Sequence, residues 1–217
     1  VCAWQEDFTG FVIDYGTFPD QGRSFFTLAN ARKTLSRAYP GAGEEGAMQA
    51  GLEALVSTLL ERSWPKAGKA GVLRIDRLFV DMGYKPGVVA AVKHKAGGSA
   101  MMLSKGVGLR AGSKPISMYQ RRPGWTLGTN WYIPNVHGTS EFPHVCVDVN
   151  WWKSFVHEHL AVAPGDPGAL TLFGKKPAEH HLFGEHVSGS ETYVTTFGHG
   201  REVHEWRWRP ERPDNHW

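Results

Sequence analysis

The chain has 217 residues, of which 41% are hydrophobic and 21% charged, which is the composition of a folded protein with one substantial core and excludes a disordered chain. Its formal net charge of +3 excludes binding of nucleic acid through bulk charge alone, so such a surface requires local clustering. Cys2 and Cys146 are too few for a disulfide framework. The sequence from Val1 onward contains no membrane span and no secretion signal, so we expect a cytoplasmic protein without a membrane partner. We also expect the chain to be truncated at both ends.

The hydrophobic pattern of the first half predicts strands that alternate with helices. A β-branched and aromatic run over residues 8–18 is typical of a strand, and apolar residues at helical spacing predict a helix from Glu44 to Arg62. A short strand over 74–81, a helix that begins with proline over 86–95 and a buried strand over 100–103 follow. This order favours an α/β fold with parallel neighbours in one sheet.

The second half predicts fewer helices. Residues 105–122 form a basic loop, and residues 130–135 and 144–149 are expected to be the strands of a hairpin. Asn150 is positioned to cap a helix whose apolar stripe is rich in tryptophan and phenylalanine. Residues 164–189 are rich in glycine, proline and histidine and give no clear pattern, and two strands are expected after them, over 191–197 and 203–208.

An acidic residue ends the strand predicted over 74–81. Its apolar residues run directly into Asp81, and α/β sheets bind ligands at the carboxyl ends of their strands. If other carboxylates, beginning with Asp214, gather there, they can hold a pair of Mg²⁺ or Mn²⁺ ions. The alternative is that Asp81 caps the next turn or pairs with Lys85. Asp14 shows the same pattern, but an outward-facing strand residue explains it better.

Residues 105–122 contain basic residues and no acidic residue. Because flexible backbone would present these cations together, the segment predicts a track for DNA phosphates. The alternative is an ordinary solvated loop. Nearby Tyr119 and Trp125 are candidates for stacking on bases, although aromatic side chains more often lie in the core. The cations of this loop are Lys105, Arg110, Lys114, Arg121 and Arg122.

Several common sites lack their sequence patterns. The eleven histidines do not favour a zinc site, because no HExxH occurs and His157 and His159 lie two apart on a predicted helix and therefore on different faces. GxxxxGK[ST], GxGxxG between strand and helix, and GxSxG are also missing. The patterns of ATP hydrolysis, dinucleotide binding and α/β-hydrolase chemistry are therefore not present.

Five segments, taken in order, resemble the C-terminal nuclease region of GpA-type phage terminase large subunits. They are VCAWQEDFTGFVIDYGTFPDQGRSFFTL, LFVDMGY, SKPISMYQRRPG, DVNWWKSFVHEHLAVAPGDPGALTLFG and VHEWRWRPERPDNHW. The resemblance implies an RNase H-like α/β fold, a mixed sheet flanked by helices with an inserted β-hairpin and Gly/Pro-rich loops. It also implies that residues 1–217 form a single, truncated nuclease domain without the packaging ATPase domain.

The resemblance assigns roles to individual residues. Asp81 matches the family's second metal-binding acid, and Asp214 and His216 match the start of the C-terminal helix that brings the third, although a Glu often stands where this chain has His216. The family's first acid would lie before Val1, which leaves Asp14 as a lesser candidate. Lys105 and the Lys114-Pro115 pair match a Lys/Gly loop beside the nuclease site. The two-metal site is therefore expected to be incomplete in residues 1–217, and this fragment is expected to be inactive on its own.

The leading hypothesis is a Mg²⁺- or Mn²⁺-dependent endonuclease that cuts concatemeric double-stranded DNA during viral genome packaging. The resemblance implies the small terminase subunit and the portal protein as partners, and the host cytoplasm as the location. One alternative is a non-catalytic module for DNA binding or assembly on the packaging machine. Another is an RNase H-like enzyme of transposase or integrase type, which would share the metal site and join strands.

Overall fold

The computed structural model describes residues 1–68, 70–108 and 110–211, which form a mixed α/β structure. Its strands are β1 (Cys2–Trp4), β2 (Gly10–Val12), β3 (Trp64–Pro65), β4 (Val72–Leu73), β5 (Leu78–Asp81), β6 (Met101–Val107), β7 (Thr126–Gly128), β8 (Trp131–Ile133), β9 (His144–Asp148), β10 (Leu170–Leu172), β11 (Glu191–Gly198) and β12 (Arg201–Trp208). Its α-helices are α1 (Leu35–Ala38), α2 (Gly43–Glu61), α3 (Pro86–Val92), α4 (Val149–Ala161) and α5 (His181–Gly184).

The contacts divide the chain into two compact units. Unit 1 comprises residues 1–32, 108–115 and 148–217, and unit 2 comprises residues 33–107 and 116–147. The prediction of one domain over the whole chain stays a prediction. In the part of the chain that the structure describes, no helix is both long enough and apolar enough to span a membrane.

Unit 2 is built on a mixed sheet with the strand order β5-β6-β9-β8-β7. β5 and β6 are parallel, from the pair Leu78 and Met101 to the pair Asp81 and Ser104, as the alternation of strands and helices predicted. β7, β8 and β9 are antiparallel neighbours, and the pairing of β8 with β9 confirms the hairpin expected from the sequence. The sheet and its helices confirm the α/β class, whereas the RNase H-like arrangement remains a proposal.

The core of unit 2 lies between the parallel strands and two helices. α2 begins and ends within one residue of its predicted bounds, with Glu44 and Glu45 in the first turn, where negative charge offsets the helix dipole. α3 begins with Pro86 and ends at Val92, and a π-helix continues it over Lys93–Gly97, so the helix predicted over 86–95 is confirmed with a change of helix type after residue 92. The fully buried side chains of this core are Val56, Val89, Val92, Met101 and Leu103.

The strand predicted over 8–18 is mostly wrong, because only three of its residues form β2 in unit 1. Phe8 has a positive φ of 63°, which ends the extended conformation before the strand. β2 pairs antiparallel with β1 and parallel with β10, so this strand belongs to a separate three-stranded sheet. Trp4 and Phe8 each contact the Phe155 ring of α4, with centroids 6.1 and 5.6 Å apart, so aromatic packing links this sheet to the helix.

Asp148, and not the predicted Asn150, is the N-cap of α4. Its Oδ1 accepts hydrogen bonds from the backbone N–H groups of Asn150 and Trp151, at 3.1 and 3.2 Å. A carboxylate at this position satisfies amide groups that have no partner inside the helix. Farther along unit 1, β11 and β12 form the two strands predicted near the C-terminus, joined by a turn at His199 and Gly200 with positive φ angles of 50° and 70°.

Candidate functional site

Asp81 lies at the carboxyl end of β5 and is exposed to solvent. Its Oδ2 accepts a hydrogen bond of 3.1 Å from the backbone N–H of Gly83, so the turn cap that was the alternative interpretation of this residue is present. Lys85 forms its ion pair with Glu45, at 2.7 Å, and Asp81 has no ion pair among the described residues. One carboxylate oxygen therefore orders the turn, while Oδ1 has no hydrogen-bond partner in the described part of the chain.

The side chain of Asp81 lies on the side of β5 that faces away from the core of unit 2. Leu78 and Val80 pack against that core, and alternate residues of a strand point to opposite faces. Phe79 shares the face of Asp81 and is 56% exposed, so this face of β5 is not covered by other described residues. Asp81 is therefore open to a ligand that approaches this face.

The loop after Asp81 is tied to the first turn of α2. The Tyr84 hydroxyl donates to the carboxylate of Glu44, and this contact raises the pKa of Tyr84 above its ordinary value. The Lys85 ammonium donates to Glu45, and that carboxylate raises the pKa of Lys85. Two interactions therefore hold the loop beside the candidate metal ligand, although both are exposed and individually weak.

The other predicted metal ligands do not join Asp81 in the described structure. Asp214 and His216 lie outside the described residues. Asp14 belongs to unit 1, where its backbone N–H donates a hydrogen bond to the Val1 carbonyl at 3.4 Å. Within the described ranges, no three histidine, cysteine, aspartate or glutamate side chains form a group able to hold a metal ion. The two-metal site stays a prediction.

The predicted basic loop is divided between the two units, and its five cations are all exposed. Lys105 follows Ser104 on β6. Burial raises the pKa of the Cys146 thiol, and the nearby positive charge of Lys105 partly opposes that rise. The Arg122 guanidinium lies 4.9 Å from the centre of the Trp125 ring. In unit 2 this places a guanidinium on an aromatic stack, since Trp125 stacks on Tyr132 with centroids 4.8 Å apart.

The segment that carries Arg110 and Lys114 is anchored in unit 1. The Arg201 guanidinium donates from Nη2 to the carbonyls of Ala111, at 3.0 Å, and Ser113. Oε1 of the buried Glu205 accepts the Ala111 N–H at 3.3 Å. Residues 110–115 are therefore not a free solvated loop, because two charged residues of β12 hold their backbone.

An open cleft with a volume of about 310 Å³ lies beside this segment, and we name it the α4 cleft. Its residues all belong to unit 1 and combine exposed aromatic rings with cations and two acids. They are Arg110, Ser113, Pro115, Asp148, Asn150, Trp151, Ser154, Phe155, Glu158, Tyr193, Arg201, Val203 and His204.

Asp148 is a candidate that the sequence argument missed. It is only 6% exposed, and burial raises the pKa of its carboxyl group in spite of the hydrogen bonds from Asn150 and Trp151. It lines the α4 cleft at the carboxyl end of β9. The signal was available, because the apolar residues of β9 run directly into Asp148 as those of β5 run into Asp81.

No model of a known protein family matches the chain, and neither a curated protein nor a solved structure matches it. Unit 2 offers Asp81 on an open strand face, and unit 1 offers the α4 cleft.

Proposed function

We propose that the chain is a Mg²⁺- or Mn²⁺-dependent endonuclease that hydrolyses phosphodiester bonds of double-stranded DNA. The observation that carries the proposal is Asp81, a carboxylate at the end of a parallel strand with one oxygen unpaired in the described residues. A hard divalent cation prefers carboxylate oxygens, and ligand sites of α/β sheets lie at this end of the strands.

Asp81 is the described residue of this chain that would hold the metal, whereas Asp214 and His216, the other ligands that the resemblance implies, lie outside the described residues. Bound there, the metal ions would supply a nucleophilic hydroxide and stabilise charge on the attacking and leaving oxygens. The contribution of Asp81 is to present Oδ1, because Gly83 holds Oδ2 and so limits rotation of the carboxylate. A side chain fixed before metal binding loses less conformational entropy when the ligand is bound.

Exposed cations support DNA as the substrate. Lys105 follows the residue of β6 that is paired with Asp81, and Arg121 and Arg122 belong to the same unit. Such groups bind phosphates without reading sequence, which suits an enzyme that acts on long duplex DNA. The resemblance to terminases adds concatemeric viral DNA as the substrate, with the small terminase subunit and the portal protein as partners in the host cytoplasm.

The test compares Asp81→Asn with Asp76→Asn in the full product of the open reading frame. Asparagine keeps an oxygen that accepts the Gly83 N–H but removes the charge that binds metal, and Asp76 is an exposed acid just before β5. With Mn²⁺ and supercoiled plasmid, we expect Asp81→Asn to abolish nicking and Asp76→Asn to preserve it. Equal cleavage by the two variants, or no metal-dependent cleavage by the parent protein, refutes the proposal.

A second candidate function is a non-catalytic DNA-binding or assembly module. The anchored segment with Arg110 and Lys114 favours it, because a fixed cationic loop binds phosphate without metal. Duplex binding that weakens steeply with salt, is unchanged by EDTA and is accompanied by no cleavage would select this module. Products of strand transfer would instead indicate an enzyme of transposase or integrase type.

A further inference from the structure

We propose that the α4 cleft binds single-stranded DNA by taking up one unpaired base, with the adjoining phosphate on Arg110. The cleft lies in unit 1, whereas Asp81 lies in unit 2, and its chemistry requires no metal. Its volume of about 310 Å³ is at the lower end of the range of small-ligand sites, as expected for a single nucleotide.

Two exposed aromatic rings provide the stacking surfaces. Trp151 of α4 is 38% exposed and Tyr193 of β11 is 47% exposed, and both line the cleft. Trp151 stacks on Phe155 with centroids 5.6 Å apart, and Tyr193 stacks on His204 with centroids 5.1 Å apart. Because protein side chains support one face of each ring, the rings lose little freedom when a base stacks on them.

The guanidinium groups of the cleft fit a phosphate. Arg110 forms no ion pair with any residue that the structure describes. Arg201 donates to the loop carbonyls through Nη2, and its other N–H groups have no partner in the described ranges. Arginine has five N–H donors arranged for oxyanions, so the cleft retains unused donor capacity for one phosphate group.

The two acids explain why a base, and not a continuous phosphate backbone, fits the cleft. Asp148 and Glu158 would repel a row of phosphates. Oδ1 of Asp148 accepts two backbone N–H groups, while its Oδ2 has no partner in the described residues. A carboxylate oxygen accepts well from the exocyclic amino group of cytosine, which thymine lacks. The cleft should therefore prefer cytosine to thymine, and bases stacked inside a duplex are not accessible to it.

The test measures fluorescence anisotropy of labelled oligo(dC) and oligo(dT), about 12 nucleotides long, in EDTA. Tyr193→Ser is compared with Phe197→Ser, since Phe197 is a 76% exposed ring of the same strand that does not line the cleft. Arg110→Gln is compared with Lys114→Gln, a cation of the same segment outside the cleft. We expect Tyr193→Ser to weaken oligo(dC) binding about 5- to 100-fold and Arg110→Gln to weaken it more than Lys114→Gln does.

The proposal is overturned if neither oligonucleotide binds, if duplex DNA competes as well as single strands, or if the two members of either pair behave alike. Binding of oligo(dT) as tightly as oligo(dC) also overturns it, because Asp148 then contributes nothing. Oligo(dC) binding is measured in EDTA, in which no metal-dependent cleavage takes place. Failure of the cleft is therefore distinguishable from failure of the nuclease, which is measured as metal-dependent cleavage.

Discussion

Replacing Glu205 by alanine should loosen the segment that presents Arg110. Glu205 is only 6% exposed, and its Oε1 accepts from the Thr196 hydroxyl at 2.8 Å and from the Ala111 N–H at 3.3 Å. Its Oε2 accepts from the Arg207 guanidinium at 3.2 Å. One side chain therefore joins both strands of the hairpin to residues 110–115, and its removal leaves several donors unpaired.

The free-energy cost of Glu205→Ala follows from what each hydrogen-bond donor to Glu205 loses. The N–H of the buried Ala111 would lack an acceptor, at about 1–3 kcal/mol. Thr196 retains its contact with the Val203 carbonyl, so its loss is about 0.5–1.5 kcal/mol. Arg207 is 58% exposed, and its ion pair contributes about 0–1 kcal/mol. We expect Glu205→Ala to lower the free energy of unfolding by about 2–5 kcal/mol, and Glu205→Gln, which retains an acceptor, by about 1 kcal/mol.

The charge of Glu205 also predicts a dependence on pH. Its pKa is lowered, chiefly by the hydrogen bond from Thr196 and also by Arg207. Because the pKa is lower in the folded state, the ionised carboxylate stabilises the fold fully at any pH above the unfolded-state pKa of about 4.3. This stabilisation is lost as the pH falls through the folded-state pKa. The difference between the parent protein and Glu205→Gln should therefore be constant from about pH 7 to 5 and shrink below about pH 4.3.

Urea unfolding followed by tryptophan fluorescence measures these differences, and hydrogen exchange at Ala111 reports the segment directly. The control is Glu202→Ala, which removes an exposed acid from the same strand and should change stability by less than about 0.5 kcal/mol. If Glu205→Ala costs no more than Glu202→Ala and exchange at Ala111 is not faster, then Glu205 does not anchor the segment.

Two further predictions concern the surroundings of α4. The Lys153 ammonium lies 2.5 Å from Glu191, whose side chain is 7% exposed, so Lys153→Met should cost about 3–5 kcal/mol in urea unfolding and adding Glu191→Leu should recover most of it. A single variant as stable as the parent contradicts this. Burial lowers the pKa of His157, so the stabilisation from its neutral ring is complete above about pH 6.5 and is lost as the pH falls towards the lower folded-state value. His157→Phe should therefore lose less stability than the parent protein between about pH 7 and 5 in thermal melts, and an equal loss would count against the reasoning.

Local patterns predicted the elements whose stability is local. The helix expected from Glu44 to Arg62 is observed from Gly43 to Glu61, because helical periodicity and an acidic first turn act within a few residues. The two strands near the C-terminus were also expected, and they form one continuous hairpin. The parallel pair β5 and β6 followed from the strand and helix order, since parallel neighbours need a crossover.

Predictions failed where distant residues decide the outcome. Most of the segment 8–18 is not part of a strand, because the length of β2 depends on pairing with β1 and with β10, which lies about 160 residues away. The cap of α4 is Asp148 because β9 continues to that residue before the helix begins. The pattern over 105–122 predicts one loop, yet Lys105 lies in β6, and Arg201, 90 residues after Ala111 in sequence, anchors part of the rest.

The α/β class, the longest helix and the position of Asp81 at a strand end could all be predicted from the residue pattern, because side-chain periodicity and strand endings are properties of neighbouring residues. The residue pattern did not predict that the cations of one segment belong to two units, or that Asp148, Trp151 and Tyr193 line one cleft. These groups are brought together by hydrogen bonds and packing between residues far apart in the chain, and no local pattern encodes such contacts.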